Sequence, residues 1–300
     1  MPERAPALHP RDEFETAGLG AAETGDVARR LSPWERFSNL NSVRKLTILV
    51  SLVVVWELYT QFGGISEYLL PTFSSTGAAL FTALMGEQLV YMIWNSIKIL
   101  LAGYVIGIGI ATVLTTLAVA TRFGSDLLST LTAMLNPLPA IALLPMAMLW
   151  FGLGADAIVF TLLHSVVWPV ALNMHTGFMG VSDTQRMVGR NYGLRGIRYV
   201  AKLLIPAAFP SILTGMKIGW AYAWRTLIAA ELVFGGAVVD TEGTGEGGLG
   251  WFIFANQMDL QIPFVFAGLF TVILVGITVE NVVFRNVELR TVARWGMQTI

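Results

Sequence analysis

The sequence predicts an all-α, polytopic membrane protein with six transmembrane helices, and three observations carry that prediction. Hydrophobic residues make up 55% of the 300 residues and charged residues only 13%, too apolar a balance for a chain that faces water throughout. Six stretches are long and apolar enough to satisfy their backbone internally within lipid. The Lys and Arg residues of the connecting segments all fall on one side of those stretches, as cytoplasmic loops require.

Residues 1–42 are polar and mixed in charge, with no apolar run that could form a signal-peptide core. They read as a cytoplasmic tail preceding a transmembrane domain over 43–300. Within the tail, Trp34, Phe37 and Leu40 recur at helical spacing beside Arg30, Glu35 and Arg36, a pattern that suits either a short interfacial helix or a flexible segment. The expected spans are 46–63, 92–120, 126–151, 156–178, 211–236 and 262–284. Arg44 and Lys45 precede the first, Arg122 follows the second, Arg186 to Lys202 fill the loop after the fourth, and Arg285, Arg290 and Arg294 follow the sixth. The opposite loops, 64–91, 152–155 and 237–261, contain no Lys or Arg. Both termini are therefore expected in the cytoplasm. No internal repeat is visible.

Net charge is −1, and no basic character points to nucleic acid. Cysteine is absent, which excludes disulfides and thiolate chemistry. His164 and His175 are eleven residues apart, about 16 Å along a continuous helix, so one ion cannot bridge them and no metal site is expected. Gly243, Gly245 and Gly248 match a dinucleotide fingerprint, but neither the preceding strand nor the opening helix is present. No phosphate-binding loop occurs either, so any ATP drive must come from another chain. Paired carboxylates and a positioned nucleophilic triad are missing, and the chain is not expected to be an enzyme.

Span three contains Pro137, Pro139 and Pro145 in NPLPAIALLP. Each removes a backbone donor, and irregular backbone at membrane depth survives only against protein or a watery cavity. The span therefore borders a translocation path or carries a kink that serves packing. Span five holds Lys217, Arg225 and Glu231. Lys217 is near enough to the cytoplasmic end to snorkel. Arg225 and Glu231 are six residues apart, about 240° around a helix, so they cannot form an intrahelical pair. Each requires a partner elsewhere, or water in a cavity, or a substrate. Candidate pathway residues are Pro137, Pro139, His164, Trp220, Trp224, Arg225 and Glu231.

The loop 181–210 is too patterned for a connector. Ser182 or Asp183 can cap a helix running through Arg190, Asn191 and Tyr192, Gly193 then breaks it, and a second stretch carrying Ile197, Val200 and Leu204 on one face runs to Pro206. A short projecting helix with a glycine turn behind it suits docking to another protein; an interfacial helix on lipid phosphates is the alternative.

At this loop the chain resembles permease subunits of ABC importers. Their cytoplasmic motif runs Glu-Ala-Ala, three residues, Gly, nine residues, Ile-x-Leu-Pro. Gly193 with Leu203, Leu204, Ile205 and Pro206 fits its second part, whereas Met187, Val188 and Gly189 stand in place of Glu-Ala-Ala. Further blocks are similar to the branch handling nitrate, sulfonate, taurine and bicarbonate: LLPTFSSTGAAL, NPLPAIALLPMAMLWFGLG, PAAFPSILTGMKIGWAYAWRTLIAAELV, GGLGWFI and VFAGLFTVILVGITVE. The outer loop GGAVVDTEGTGEGGLG is longer than that branch usually has. The resemblance covers about 69–295. It implies a type I importer permease fold and an inner-membrane homodimer. Substrate would come from an extracytoplasmic binding protein, and two copies of a separate ATPase would hold ATP and Mg; this chain itself carries no cofactor. It further implies that Asp183, Arg186, Met187, Arg190, Asn191, Tyr192, Gly193 and Pro206 couple the permease to the ATPase. The alternative class is a secondary transporter driven by an ion gradient. Such proteins commonly show inverted repeats and intramembrane carboxylates, for which only Glu57 and Glu231 are available here.

Overall fold

The computed structural model describes residues 41–234 and 247–294. The 31–40 segment and most of the glycine-rich outer loop lie outside them. The chain divides into two compact units, Met1–Val54 and Val55–Ile300. Of the first, the described part is the start of α1 (Asn41–Phe62), where Leu46, Ile48, Leu49 and Leu52 are exposed, the condition of a lipid-facing surface.

The second unit begins with the rest of α1 and continues through α2 (Phe73–Met85), α3 (Gln88–Ala120), α4 (Arg122–Leu135), a 3₁₀ turn, α5 (Leu144–Phe151) and α6 (Ala155–Met179). It then runs through α7 (Asp183–Asn191), α8 (Gly196–Tyr199), α9 (Ile205–Phe234), α10 (Leu249–Met258), α11 (Ile262–Thr278) and α12 (Arg285–Glu288). Among the described residues every regular element is helical. Four helices are long and apolar enough to cross a membrane: Gln88–Ala120, Ala155–Met179, Val200–Val233 and Ile262–Ala293. The pair α4 and α5 passes the same test when taken together. That makes up to five of the six expected spans among the described residues; the 22-residue α1 lies at the first expected place without being among the helices that pass.

Three expectations are corrected. Span three is not one helix: Arg122–Leu135 and Ala140–Phe151 meet at a bend of 88°. Pro137 and Pro139 have no N–H to continue the ladder, and Pro145 sits instead in the first turn of α5, where a missing donor is harmless. Pro206 does not end a loop helix. A π-turn at Val200–Leu204 runs directly into α9, so the proline falls in that helix's first turn. The loops 64–91 and 237–261 are not plain connectors, for they hold α2 and α10. The Thr72 side chain caps α2 by accepting from the Ser75 N–H at 3.0 Å, a signal present in the sequence as Thr-Phe-Ser-Ser.

The core forms around α6, which lies between α3 and α9. Both neighbours present small residues every fourth position: Gly103, Gly107 and Ala111 on α3; Gly215, Gly219 and Ala223 on α9. A Cβ at Gly103 would come within 2.7 Å of Leu162, one at Gly107 within 2.8 Å of Val166, and one at Gly215 within 2.7 Å of Asn173. Lipid supplies no hydrophobic drive between helices, so close backbone approach of this kind carries the association. Leu162, Val166, Val170, Ala223 and Leu227 are fully buried along the resulting seam.

Candidate functional site

The 88° break opens a cavity of about 450 Å³ between Asn136–Ala140, the middle of α6 and the middle of α9. Breaking the helix frees the Leu138 carbonyl, since the Ala142 N–H turns to Pro139 instead. His164 on α6 meets that carbonyl through Nε2 at 3.1 Å. The Trp168 indole N–H donates to His164 Nδ1, also at 3.1 Å. An indole N–H only donates, so Nδ1 must accept and the ring proton sits on Nε2. Trp168, His164 and the break thus form a chain of two hydrogen bonds that holds the cavity floor in place. On the adjoining wall the hydroxyls of Ser165 and Thr226 pair at 2.9 Å across α6 and α9.

Arg225 also lines this cavity and is exposed. Its guanidinium lies over the Tyr222 ring, 5.9 Å from the centroid, a cation–π contact that orients the group while leaving its N–H donors unspent. Among the described residues no carboxylate lines the cavity. The structure therefore brings together Pro137, Pro139, His164 and Arg225. Tyr222, Ser165, Thr226, Trp168 and Asn136 complete the wall. Tyr222 was legible in principle, because a residue three before Arg225 shares its helix face.

Glu231 is elsewhere, with no exposed surface. The Ser96 hydroxyl lies 2.7 and 2.9 Å from its two oxygens. The Gly250 N–H donates to the carboxylate at 2.7 Å, and the Leu249 N–H donates to Ser96 Oγ at 2.8 Å. These N–H groups begin α10, so the carboxylate is met by the positive end of a helix rather than by a cation. Trp220 and Trp224 are likewise separate from the cavity and almost fully buried. Trp220 packs edge-on to Tyr104, with centroids 5.3 Å apart, and against Phe284. Lys217 pairs with Glu288 at 2.7 Å rather than reaching toward lipid. Lys98, which the sequence reading passed over, is exposed on α3.

At the opposite end of α6, α7 projects between two well-defined caps. The Ser182 side chain accepts from the Gln185 N–H. At the C-terminus, the Leu194 N–H bonds to Gly189 O and the Gly193 N–H to Arg190 O, with Gly193 at φ +73°; this is a Schellman cap. No atom approaches the place of a Gly193 Cβ within 4 Å, so the glycine is required for its backbone conformation and not for a close approach. Gly189 is the tight position. A Cβ there would meet Leu203 at 3.2 Å and Tyr199 at 3.3 Å. Arg186 turns inward, its Nε donating to Val181 O at 3.0 Å and an Nη to Phe178 O at 2.7 Å, tying α7 to the end of α6. Met187, Val188 and Tyr192 face outward, Tyr192 being 82% exposed. Asp183, Arg190 and Asn191 are exposed beside them.

A helical membrane bundle with no phosphate-binding loop, a cation-bearing cavity at a broken helix and a capped helix presented from one end has the build of a transport permease powered by another protein. The chain belongs to the binding-protein-dependent transport system inner membrane components, a family matched by residues 103–291. It is 27% identical over 243 residues to a protein named as an ABC transporter permease in Methanocaldococcus jannaschii, covering 80% of this chain and 87% of that one. It is 30% identical over 185 residues to the protein named aliphatic sulfonates transport permease protein SsuC of Escherichia coli strain K12, covering 61% and 70%. Nitrate import permease protein NrtB of Synechocystis is 28% identical over 162 residues, 54% of this chain and 55% of its own. The chain is accordingly a non-enzymatic permease component of an ABC importer, a multi-pass inner-membrane protein that associates with an ATPase and a substrate-binding protein.

Proposed function

We propose that two copies of this chain form a path for a small oxyanion of the nitrate or sulfonate class, and that the cavity beside Arg225 is the anion's station within the membrane. The observation carrying this reading is a guanidinium in a cavity of about 450 Å³ where, among the described residues, no carboxylate lines the wall and nothing accepts from its N–H groups. A fixed positive charge there offsets the loss of an anion's hydration, and the Ser165–Thr226 hydroxyl pair keeps one proton to donate. The sulfonate and nitrate named in the relatives are anions of this kind.

In this reading both termini are cytoplasmic, as the Lys and Arg distribution supports. The 1–42 tail precedes the transmembrane domain, and 181–210 forms its coupling loop. The exposed face of α7, with Asp183, Met187, Arg190, Asn191 and Tyr192, seats in an ATPase that holds ATP and Mg in two copies. Closure of that pair draws the two α7 helices together and tips the permease from inward-open to outward-open; hydrolysis resets it.

The test is Arg225→Gln in the assembled complex. Uptake of the anion should fall at least about tenfold, the size expected when one charge-assisted contact is lost, with assembly, melting temperature and basal ATPase activity retained. Normal uptake by a well-folded variant, or collapse of the fold, would each refute the assignment.

A further inference from the structure

Three buried side-chain atoms among the described residues have no hydrogen-bond partner: Thr132 Oγ1, His175 Nε2 and Tyr199 Oη. All three lie on the α7 side of the Arg225 cavity. Gly103, Gly107 and Thr115 of α3 meet Leu162, Val166 and Ala171 of α6 in the same order, so these helices run parallel, and α4, which follows α3, starts at the α7 end and rises to the break. Asn136 lines the cavity, and Thr132 stands one turn nearer α7, on the buried stripe Gly124, Leu128 and Thr132. On α6, His164 and Trp168 line the cavity. His175 returns to within about 20° of the His164 face, about 10 Å beyond Trp168 along the helix. Two rows, one on each helix, therefore leave the cavity in the same direction and arrive at unpaired polar atoms. Tyr199 belongs to α8, where its ring packs on Gly189 of α7.

A buried polar atom without a partner destabilises the fold, and Thr132 has a remedy close by. Thr112, Thr116, Thr161, Thr176, Thr214 and Thr271 each donate to the carbonyl four residues back, at 2.7 to 2.9 Å. Thr132, only 7% exposed, does not bond to the Leu128 carbonyl in this way. Its hydroxyl proton stays available to something other than the backbone.

A hydroxyl and an imidazole N–H are neutral donors to an oxyanion. Placed beyond a fixed cation they hold the anion less strongly than a guanidinium does, the order a path needs if its cargo is to move on. A metal cation is poorly served, because among the described residues no His or carboxylate cluster that could hold one includes them. We propose that Thr132 and His175 form a second station for the same small oxyanion, through which it leaves the Arg225 cavity toward the α7 end, and that this station is closed in the present conformation. The inference rests on the oxyanion reading of the Arg225 cavity. His175 is three residues from Phe178, whose carbonyl accepts from Arg186 of α7 at 2.7 Å, so a displacement of α7 is passed to the turn that carries the imidazole.

The experiment uses the permease–ATPase complex, in nanodiscs for labelling and in proteoliposomes with its binding protein for uptake. This chain has no cysteine, so Thr132→Cys and His175→Cys report on their own positions. Each is treated with a methanethiosulfonate reagent carrying a sulfonate and with a trimethylammonium reagent of similar size, without nucleotide and again with ATP and vanadate. Both cysteines should react in at least one of the two conditions, and faster with the anionic reagent. Thr132→Val, equal in shape but without the hydroxyl, should melt at the same temperature or higher, while uptake of nitrate or methanesulfonate falls about tenfold, as for one lost hydrogen bond to a charged group. A cysteine that stays silent in both conditions, or reacts faster with the cationic reagent, overturns the station. Intact uptake by Thr132→Val also overturns it, and a lower melting temperature besides marks the place of a structural water only. If uptake and melting temperature fall together, the labelling decides. Thr226→Cys in the Arg225 cavity separates the two readings. An anionic preference there with silent Thr132→Cys and His175→Cys sinks the station alone, whereas no anionic preference at Thr226→Cys sinks the cavity reading and the station with it.

Discussion

Glu231 is the residue whose surroundings most change its meaning. Read along the chain it is an ionisable group deep in an apolar helix, six positions from an arginine. Folded, it fastens the start of α10 to α9 and α3 through Ser96 and two backbone N–H groups. Ser96 is 135 positions away, and the glycines that wrap the carboxylate follow a long loop, so the linear sequence held no signal for this partnership. Arg225 was more legible, because a guanidinium near mid-span needs a polar cavity wherever it lies. The network yields a prediction at Gly248, where a Cβ would overlap the carboxylate and Ser96. Gly248→Ala should destabilise the protein by about 1 to 3 kcal/mol, the usual range for overpacking, seen as a lower melting temperature in detergent. Glu231→Gln retains one carbonyl acceptor and should lose less than Glu231→Leu, which strands the Gly250 N–H. Equal stability of the Gln and Leu variants would contradict the bonding described.

At the scale of elements, prolines and glycines announced where helices end but not how. Pro137 and Pro139 marked span three as irregular; the 88° turn depends also on His164, 26 positions on, holding the Leu138 carbonyl. Capping signals near α2 and α7 were local and therefore readable, whereas the π-turn at Val200–Leu204 that leads into α9 left no mark in the pattern. Gly193 separates two explanations of one glycine turn. Its requirement is a positive φ with open space around it, so Gly193→Asn, which tolerates that conformation, should keep substrate-stimulated ATPase activity. Gly193→Val strains the cap by about 1 to 2 kcal/mol or more and should abolish the stimulation while leaving the binding protein able to dock. Stimulation that survives Val would remove this loop from the coupling route.

For the whole molecule, the all-helical membrane class was readable because lipid imposes one rule on every backbone group. Which helix stands at the centre was not, since α6 lies between α3 and α9 in hydropathy and packs against glycines on both. Orientation remains open to direct measurement. With no native cysteine, Glu246→Cys should react with an impermeant thiol reagent from outside intact cells and Arg195→Cys only after permeabilisation; the reverse pattern would invert the entire map. The anchoring of Arg186 to the carbonyls of Phe178 and Val181 has a mechanical consequence. It makes α7 the short arm and α6 the long arm of a single lever. His164 lies fourteen residues from Phe178, about 21 Å at helical rise. A tilt of only about 5° at the α7 end would then sweep the imidazole by roughly 2 Å, enough to pull Nε2 off the Leu138 carbonyl and let the broken helix shift, so a small stroke at α7 becomes a change of hydrogen-bond partner beside the cavity.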